Sequence, residues 1–151
     1  MPTHYKGSAR ETRALDTFVK LTRAMETLSS HLQRQLASQG MTPPQLAVLE
    51  ALLHLGPMSQ GELGRKLLRS NPNMTAVLDN LERNGWIQRE RSPEDRRVVV
   101  VSLTPKGRSL IEKVFPAHAA HIAALLGALT AEEQEQLGAL CKKLGLSLSG
   151  D

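Results

Sequence analysis

The stretch from Ser59 to Thr104, SQGELGRKLLRSNPNMTAVLDNLERNGWIQRERSPEDRRVVVVSLT, most constrains what this chain can fold into. It predicts two short helices joined by a tight polar turn. Ser59 and Glu62 have the S-x-x-E spacing of a capping box, in which each side chain satisfies an orphan amide at a helix start. Met58 and Leu63 sit where a hydrophobic staple closes over that cap, and Leu63 with Leu67 gives the helix one apolar edge. The second helix opens near Ser70 to Pro72, where a capping hydroxyl or amide precedes a first-turn proline. It stops at Gly85, which takes the left-handed C′ conformation without a Cβ penalty. Met74, Val77, Leu78 and Leu81 share one face at helical spacing. The other face carries Asn73, Thr75, Ala76, Asn80 and Arg83.

A hairpin follows at once. Trp86 to Arg91 is one short strand, Ser92-Pro93-Glu94-Asp95 is turn chemistry, and the β-branched run from Arg97 to Leu103 is the return strand. Helix, turn, helix and hairpin make a winged helix-turn-helix. Its second helix has a small, polar, nearly acid-free outer face, as lying in a major groove requires. The string Asp95-Arg96-Arg97, followed by Val101-Ser102-Leu103-Thr104 and Gly107, resembles the D-x-R…LT…G wing signature of the MarR family of bacterial transcription regulators. Asp79-Asn80-Leu81-Glu82-Arg83-Asn84-Gly85 is similar to that family's D-x-L-E-x-x-G end of the recognition helix.

Bulk properties agree with such a fold. A chain of 151 residues suggests one domain and is long enough for a real core. Aromatics make up only 3%, which favours helices packed through Leu, Ala and Met. No apolar run approaches membrane length and the N-terminus is polar, so a cytoplasmic protein without a signal peptide is expected. The single cysteine, Cys141, excludes an internal disulfide and a multi-cysteine zinc site. Between Ser59 and Lys113 there are 11 Lys/Arg and 7 Asp/Glu, a surplus equal to the net +4 of the whole chain. The basic excess therefore sits on the winged segment and the start of the helix that follows it, the electrostatic footprint of a nucleic-acid binder.

In chain order, Met1 to Arg10 is a polar tail. A first helix is predicted from about Glu11 to Gln39, with Leu15, Phe18, Leu21, Met25, Leu28, Leu32 and Leu36 in one stripe. A second opens at Thr42-Pro43 with Gln45 at N3 and ends at Leu55-Gly56-Pro57. After the winged segment, Pro105 starts a fifth helix that runs to about Leu129, with Pro116 expected to kink or break it after Phe115. A sixth starts from the Thr130-x-x-Glu133 box, carries Leu137, Leu140, Cys141 and Leu144 on its apolar edge, and ends at Gly145.

The fold class expected is thus mainly α with a small β-hairpin wing. A single MarR-type domain spans 1–151, with dimerisation helices at 11–40 and 105–145 around a winged helix-turn-helix at 42–104. The outer helices have more apolar stripe than one copy covers, which points to a homodimer. The resemblance implies the same, with interleaved terminal helices. A two-fold protein asks for an inverted-repeat DNA site with half-sites about 34 Å apart.

Residue roles follow from position and resemblance. Asn73 and Thr75 lie near the N-terminal end of the recognition helix, where base contacts are made. Ser70 and Asn71 suit phosphate, although capping alone accounts equally for Ser70. Ala76 stands where many similar proteins carry a basic residue, which implies a softer or more A·T-directed preference. Asn80 and Arg83 complete the reading face. By resemblance Arg97 enters the minor groove, and Asp95 holds and aims its guanidinium. Arg89, Arg91 and Arg96 are expected at phosphates.

Similar proteins bind small phenolic or other aromatic anions between the dimer helices and the winged region. That implies an effector crevice here, with His31, Leu52 and Trp86 as candidates; for each, ordinary packing is the competing account. The segment Phe115-Pro116-Ala117-His118 with Val77 to Glu82 resembles a subgroup responsive to quinones and phenols. His118 and His121 form H-x-x-H, but no carboxylate cluster is near in sequence to complete a metal site. Cys141 lies on an apolar edge, where a buried thiol is inert. No phosphate loop, nucleophile elbow or dinucleotide fingerprint is present, so no enzyme, cofactor or metal is expected. The function expected is a repressor released from DNA by a small effector. The alternatives are a constitutive DNA-binding regulator and a redox- or metal-responsive one using Cys141 or His118 and His121.

Overall fold

The computed structural model describes residues 3–67 and 73–149. They form two compact units, Met1–His118 and Ala119–Asp151. The first opens with α1, Ala9–Ala37. This helix starts two residues before the sequence reading placed it, because Ser8 and Glu11 make another capping box. Ser8 Oγ accepts the Glu11 N–H at 3.2 Å, and Glu11 Oε2 accepts the Ser8 N–H at 2.8 Å. The Ser8 amide thereby holds the Glu11 carboxyl below the usual carboxylate range. The helix also stops earlier, at Ala37, where Gly40 (φ 72°) lets the Met41 N–H turn back to the Leu36 carbonyl at 3.0 Å.

Helix α2, Pro43–Leu55, has the start and stop expected: Thr42 and Gln45 cap each other, and Gly56 at φ 80° ends it. Strand β1, Met58–Ser59, is an element the sequence reading lacked. Ser59 serves twice, pairing with Val100 in the sheet and capping α3, Gln60–Leu67, through Glu62. Helix α4 is Met74–Arg83. Its expected opening at Ser70 to Pro72, with the candidate contacts Ser70 and Asn71, lies outside the described residues. Strands β2, Ile87–Arg91, and β3, Val99–Leu103, form the wing, and the antiparallel sheet order is β1-β3-β2. Ile87 faces Leu103 and Arg91 faces Val99.

One core joins these elements. Leu36 of α1, Leu49 of α2, Leu63 of α3, Leu78 and Leu81 of α4, Val101 of β3 and Ile111 of the next helix are all fully buried. Each contributes about 1.5–3 kcal/mol by leaving water. The sequence places the inward face of α4 correctly: Met74, Leu78 and Leu81 are buried and Val77 packs against them.

Helix α5, Pro105–Leu125, begins in the first unit and ends in the second. It runs through Pro116 without the break that was one of the two expected outcomes. The residue that loses its hydrogen bond there is Glu112, one turn back, which is exposed and can give its carbonyl to water. The second unit continues with a 3-10 turn, Leu126–Ala128, and α6, Ala131–Leu148. The Thr130–Glu133 box starts α6 as expected, and Gln134 Nε2 donates to the carbonyls of Leu126 and Leu129 at 3.1 Å each. Gly145 does not end this helix. A glycine inside a helix costs only about 1 kcal/mol, and the next stop lies at Ser149. No residue of α6 is buried.

Candidate nucleic-acid interface

The wing is built to display one arginine. Arg97 donates to Asp95 three times: its backbone N–H at 3.0 Å and Nε at 3.1 Å go to Oδ1, and Nη2 at 3.1 Å goes to Oδ2. This fork fixes the guanidinium direction while the side chain stays 90% exposed. Arg97 holds the Asp95 carboxyl below its ordinary range, so the pair stays ionised at neutral pH. Two backbone bonds close the tip, Ser92 N–H to Val98 and Val98 N–H to Asp95. Arg91 Nη1 donates to the Arg96 carbonyl at 2.7 Å and braces the tip from inside, while Arg96 points outward, exposed.

The root of the wing explains the LT…G signature. Thr104 Oγ1 donates to the Gly85 carbonyl at 2.6 Å and accepts the Gly107 N–H at 3.0 Å, capping α5. The Thr104 N–H reaches the Trp86 carbonyl at 3.1 Å. Gly107 packs so closely that a Cβ there would lie 1.9 Å from that same oxygen.

On α4, Asn73, Thr75, Ala76 and Arg83 are exposed, as a reading face requires. Asn80 is placed differently. Its Oδ1 accepts from Gln45 Nε2 of α2 and from Asn84 Nδ2, both at 2.8 Å. At about 100° per residue Asn80 falls beside Val77, on the flank of the apolar arc that meets α2. Arg89 also differs from expectation. It leans back on α4, with Nη2 at 2.7 Å from Asp79 and 3.1 Å from Glu82, and its side chain is only 20% exposed. Hydrogen bonding to Glu82 and then Asp79 raises the Arg89 pKa, and Arg89 lowers that of Glu82. This guanidinium ties wing to recognition helix.

Thr75 and Arg97 line one open groove of about 710 Å³, together with Arg65 and the glycines of α3. Arg65 belongs to no recognisable motif in the sequence. The only signal was a basic pair, Arg65-Lys66, in the last turn of α3.

The three effector candidates differ in exposure within this chain. Leu52 is 2% exposed and belongs to the core, so it offers a ligand no surface. His31 is exposed on α1 beside Arg34, 3.3 Å away, and Trp86 packs half-buried against the core. A different groove, about 340 Å³, lies between the end of α1 and α5, lined by Gln39, Leu110, Lys113, Val114 and Ala117. Cys141 is exposed rather than buried, because its edge of α6 is uncovered. Among the described residues no group of three or more His, Cys, Asp and Glu could hold a metal, and no single helix is long and apolar enough to cross a membrane.

A helix with a polar outer face, braced by an arginine-tipped hairpin, defines a winged helix-turn-helix DNA-binding protein. The MarR family model matches residues 41–99. The chain is 40% identical over 134 residues to the uncharacterized HTH-type transcriptional regulator YkoM of Bacillus subtilis, covering 89% of this chain and 87% of that one. It is 35% identical to the B. subtilis HTH-type transcriptional regulator MhqR, over 89% and 93% of the two chains. Its fold is similar to an S. aureus MepR–DNA complex (TM-score 0.77, 27% identity, 87% and 98% covered). It is equally similar to Bordetella bronchiseptica BpsR, whose DNA binding is regulated by 6-hydroxynicotinic acid (TM-score 0.77, 26% identity, 85% and 98% covered). The chain belongs to the MarR family of DNA-binding transcription regulators.

Proposed function

We propose that the protein is a homodimeric repressor that holds an inverted-repeat operator and is released by a small, phenolic or quinone-like effector. The observation that carries this reading is the apolar stripe of α1. Phe18 is 63% exposed, Met25 52% and Leu15 37%, on a helix that shares its core with the DNA-reading elements. A single stripe of this kind is an unfilled interface rather than ordinary surface. Within the second unit, Leu140 at 64% and Leu144 at 49% exposure ask for the same cover. A second copy supplies it and presents two α4 helices to one face of the duplex.

In each half-site, the exposed Asn73, Thr75, Ala76 and Arg83 face the major groove, Arg97 enters the minor groove, and Arg96 meets phosphate. Asn80, Arg89 and Arg91 position these elements instead of touching DNA. Ser70 and Asn71 keep their assignment as phosphate contacts. The groove beside Lys113 suits an anionic aromatic ring: one cation, one amide in Gln39, and apolar walls. BpsR, which responds to an aromatic acid, supports this class of effector. An effector that binds the wide-spaced dimer more tightly draws the population off DNA.

Sedimentation equilibrium of the wild type and of Phe18→Glu tests the assembly. The expected result is a dimer and a folded monomer, respectively; a monomeric wild type overturns the reading. Titrating the DNA complex with 6-hydroxynicotinic acid and simple phenolic acids tests release. Lys113→Ala is expected to abolish release at unchanged DNA affinity.

A further inference from the structure

In B-DNA one sugar-phosphate strand separates the major groove from the neighbouring minor groove. A protein with a helix in one and a wing in the other straddles that strand. Whatever surface lies between the two reading elements must face it. Here Thr75 of α4 and Arg97 of the wing line the same open groove, and the first turns of α3 form its floor. We propose that this groove seats the intervening phosphodiester strand and that Arg65 of α3 grips its phosphate. The inference rests on the reading that α4 and Arg97 enter adjacent grooves.

Shape, charge and availability support the assignment. Gly61 and Gly64 are among the residues lining this groove of about 710 Å³ and place no side chain in it. A Cβ on Gly61 would meet the Arg65 guanidinium at 3.5 Å, so that guanidinium lies over the open floor. Among the described residues that line the groove there are two arginines and no carboxylate. Of the two, Arg97 is already forked onto Asp95, whereas Arg65 is exposed and makes no ion pair among the described residues. The Ser59 hydroxyl caps α3, accepting from the Glu62 N–H at 3.1 Å, and is neutral. Among the described residues, Arg65 is thus the group in the groove with a full charge and a planar fork not engaged in an ion pair, the geometry that fits phosphate oxygens. A grip of this kind adds affinity without reading sequence.

The test is the salt dependence of binding by the full chain, followed by fluorescence anisotropy. Two duplexes are used: one from immediately upstream of its own coding sequence, and a scrambled one of equal length. Arg65→Ala is expected to weaken both by the same factor. It should also reduce the slope of log K against log salt by about 0.9 for each protomer engaged. Arg65→Lys keeps the charge and is expected to restore the slope. Both variants should melt with the wild type, since the side chain is exposed. A wild-type slope for Arg65→Ala, with Arg97→Ala weakened, overturns the phosphate grip and leaves the DNA reading standing. A wild-type slope and affinity in both overturn the two together. A loss confined to the upstream duplex with an unchanged slope also overturns the grip, because it marks base reading.

Discussion

Replacing Gly107 by alanine is expected to do more damage than any exposed change in the DNA-reading face. The added Cβ would lie 1.9 Å from the Trp86 carbonyl oxygen, 2.7 Å from its carbon and 3.0 Å from the Trp86 Cα. That is roughly 1.5 Å short of ordinary contact, and every atom involved is backbone. Either β2 or the start of α5 must move. The same Trp86 oxygen accepts the Thr104 N–H at 3.1 Å, and Thr104 Oγ1 joins Gly85 to Gly107, so movement strains three hydrogen bonds at once. Overpacking costs about 1–3 kcal/mol, and one weakened hydrogen bond adds about 1 kcal/mol. A loss of about 3 kcal/mol lowers Tm by roughly 6–12 °C in a chain of this length. Circular-dichroism melts at equal protomer concentration measure it. An alanine variant melting within about 2 °C of the wild type would refute the packing argument.

Three further outcomes are expected. Asn80→Ala leaves Gln45 Nε2 without its acceptor at 2.8 Å; stability should fall by about 1 kcal/mol in a denaturant titration, with the base preference unchanged. Arg97→Ala should weaken operator binding by about 1–3 kcal/mol, read by anisotropy, and most strongly where the flanking minor groove is A·T-rich. Arg89→Ala should cost about 1 kcal/mol at pH 7. Because Arg89 lowers the Glu82 pKa, that stabilisation is present above the ordinary glutamate pKa and is lost as pH falls through the lowered value. The gap between variant and wild type should therefore close as the pH falls through the lowered Glu82 value, below the ordinary glutamate range, in acid titrations of stability.

Much of the fold is local and was legible for that reason. A cap, a first-turn proline and a stop glycine act within four residues, so Thr42, Pro43, Gln45 and Gly56 mark α2 directly. The apolar arc of α4 and the turn before Arg97 are equally local. The Ser8–Glu11 box has the same spacing as the others. It is less visible in the sequence because the residues around it are polar and the first apolar position of the stripe, Leu15, comes later. Strand β1 is two residues long, and Ser59 was already assigned to a cap. The missed roles are all long-range. Asn80 finds Gln45 across 35 residues, and Arg89 finds α4 through the fold of the wing. Leu52 reads as an apolar helix residue whether it lines a crevice or fills the core; only its 2% exposure decides. Pro116 and Gly145 carry local stop signals at which the helices nevertheless continue: an exposed helix can give the carbonyl freed by proline to water, and an internal glycine costs only about 1 kcal/mol.

The central claim is that two copies read one inverted repeat. It is tested most directly by fluorescence anisotropy on the DNA upstream of the chain's own gene, at two salt concentrations, with a scrambled duplex beside it. Tight binding that falls steeply with salt, one dimer per inverted repeat and far weaker on the scrambled duplex, is the result predicted. Weak binding that is indifferent to sequence at both salt concentrations would contradict it.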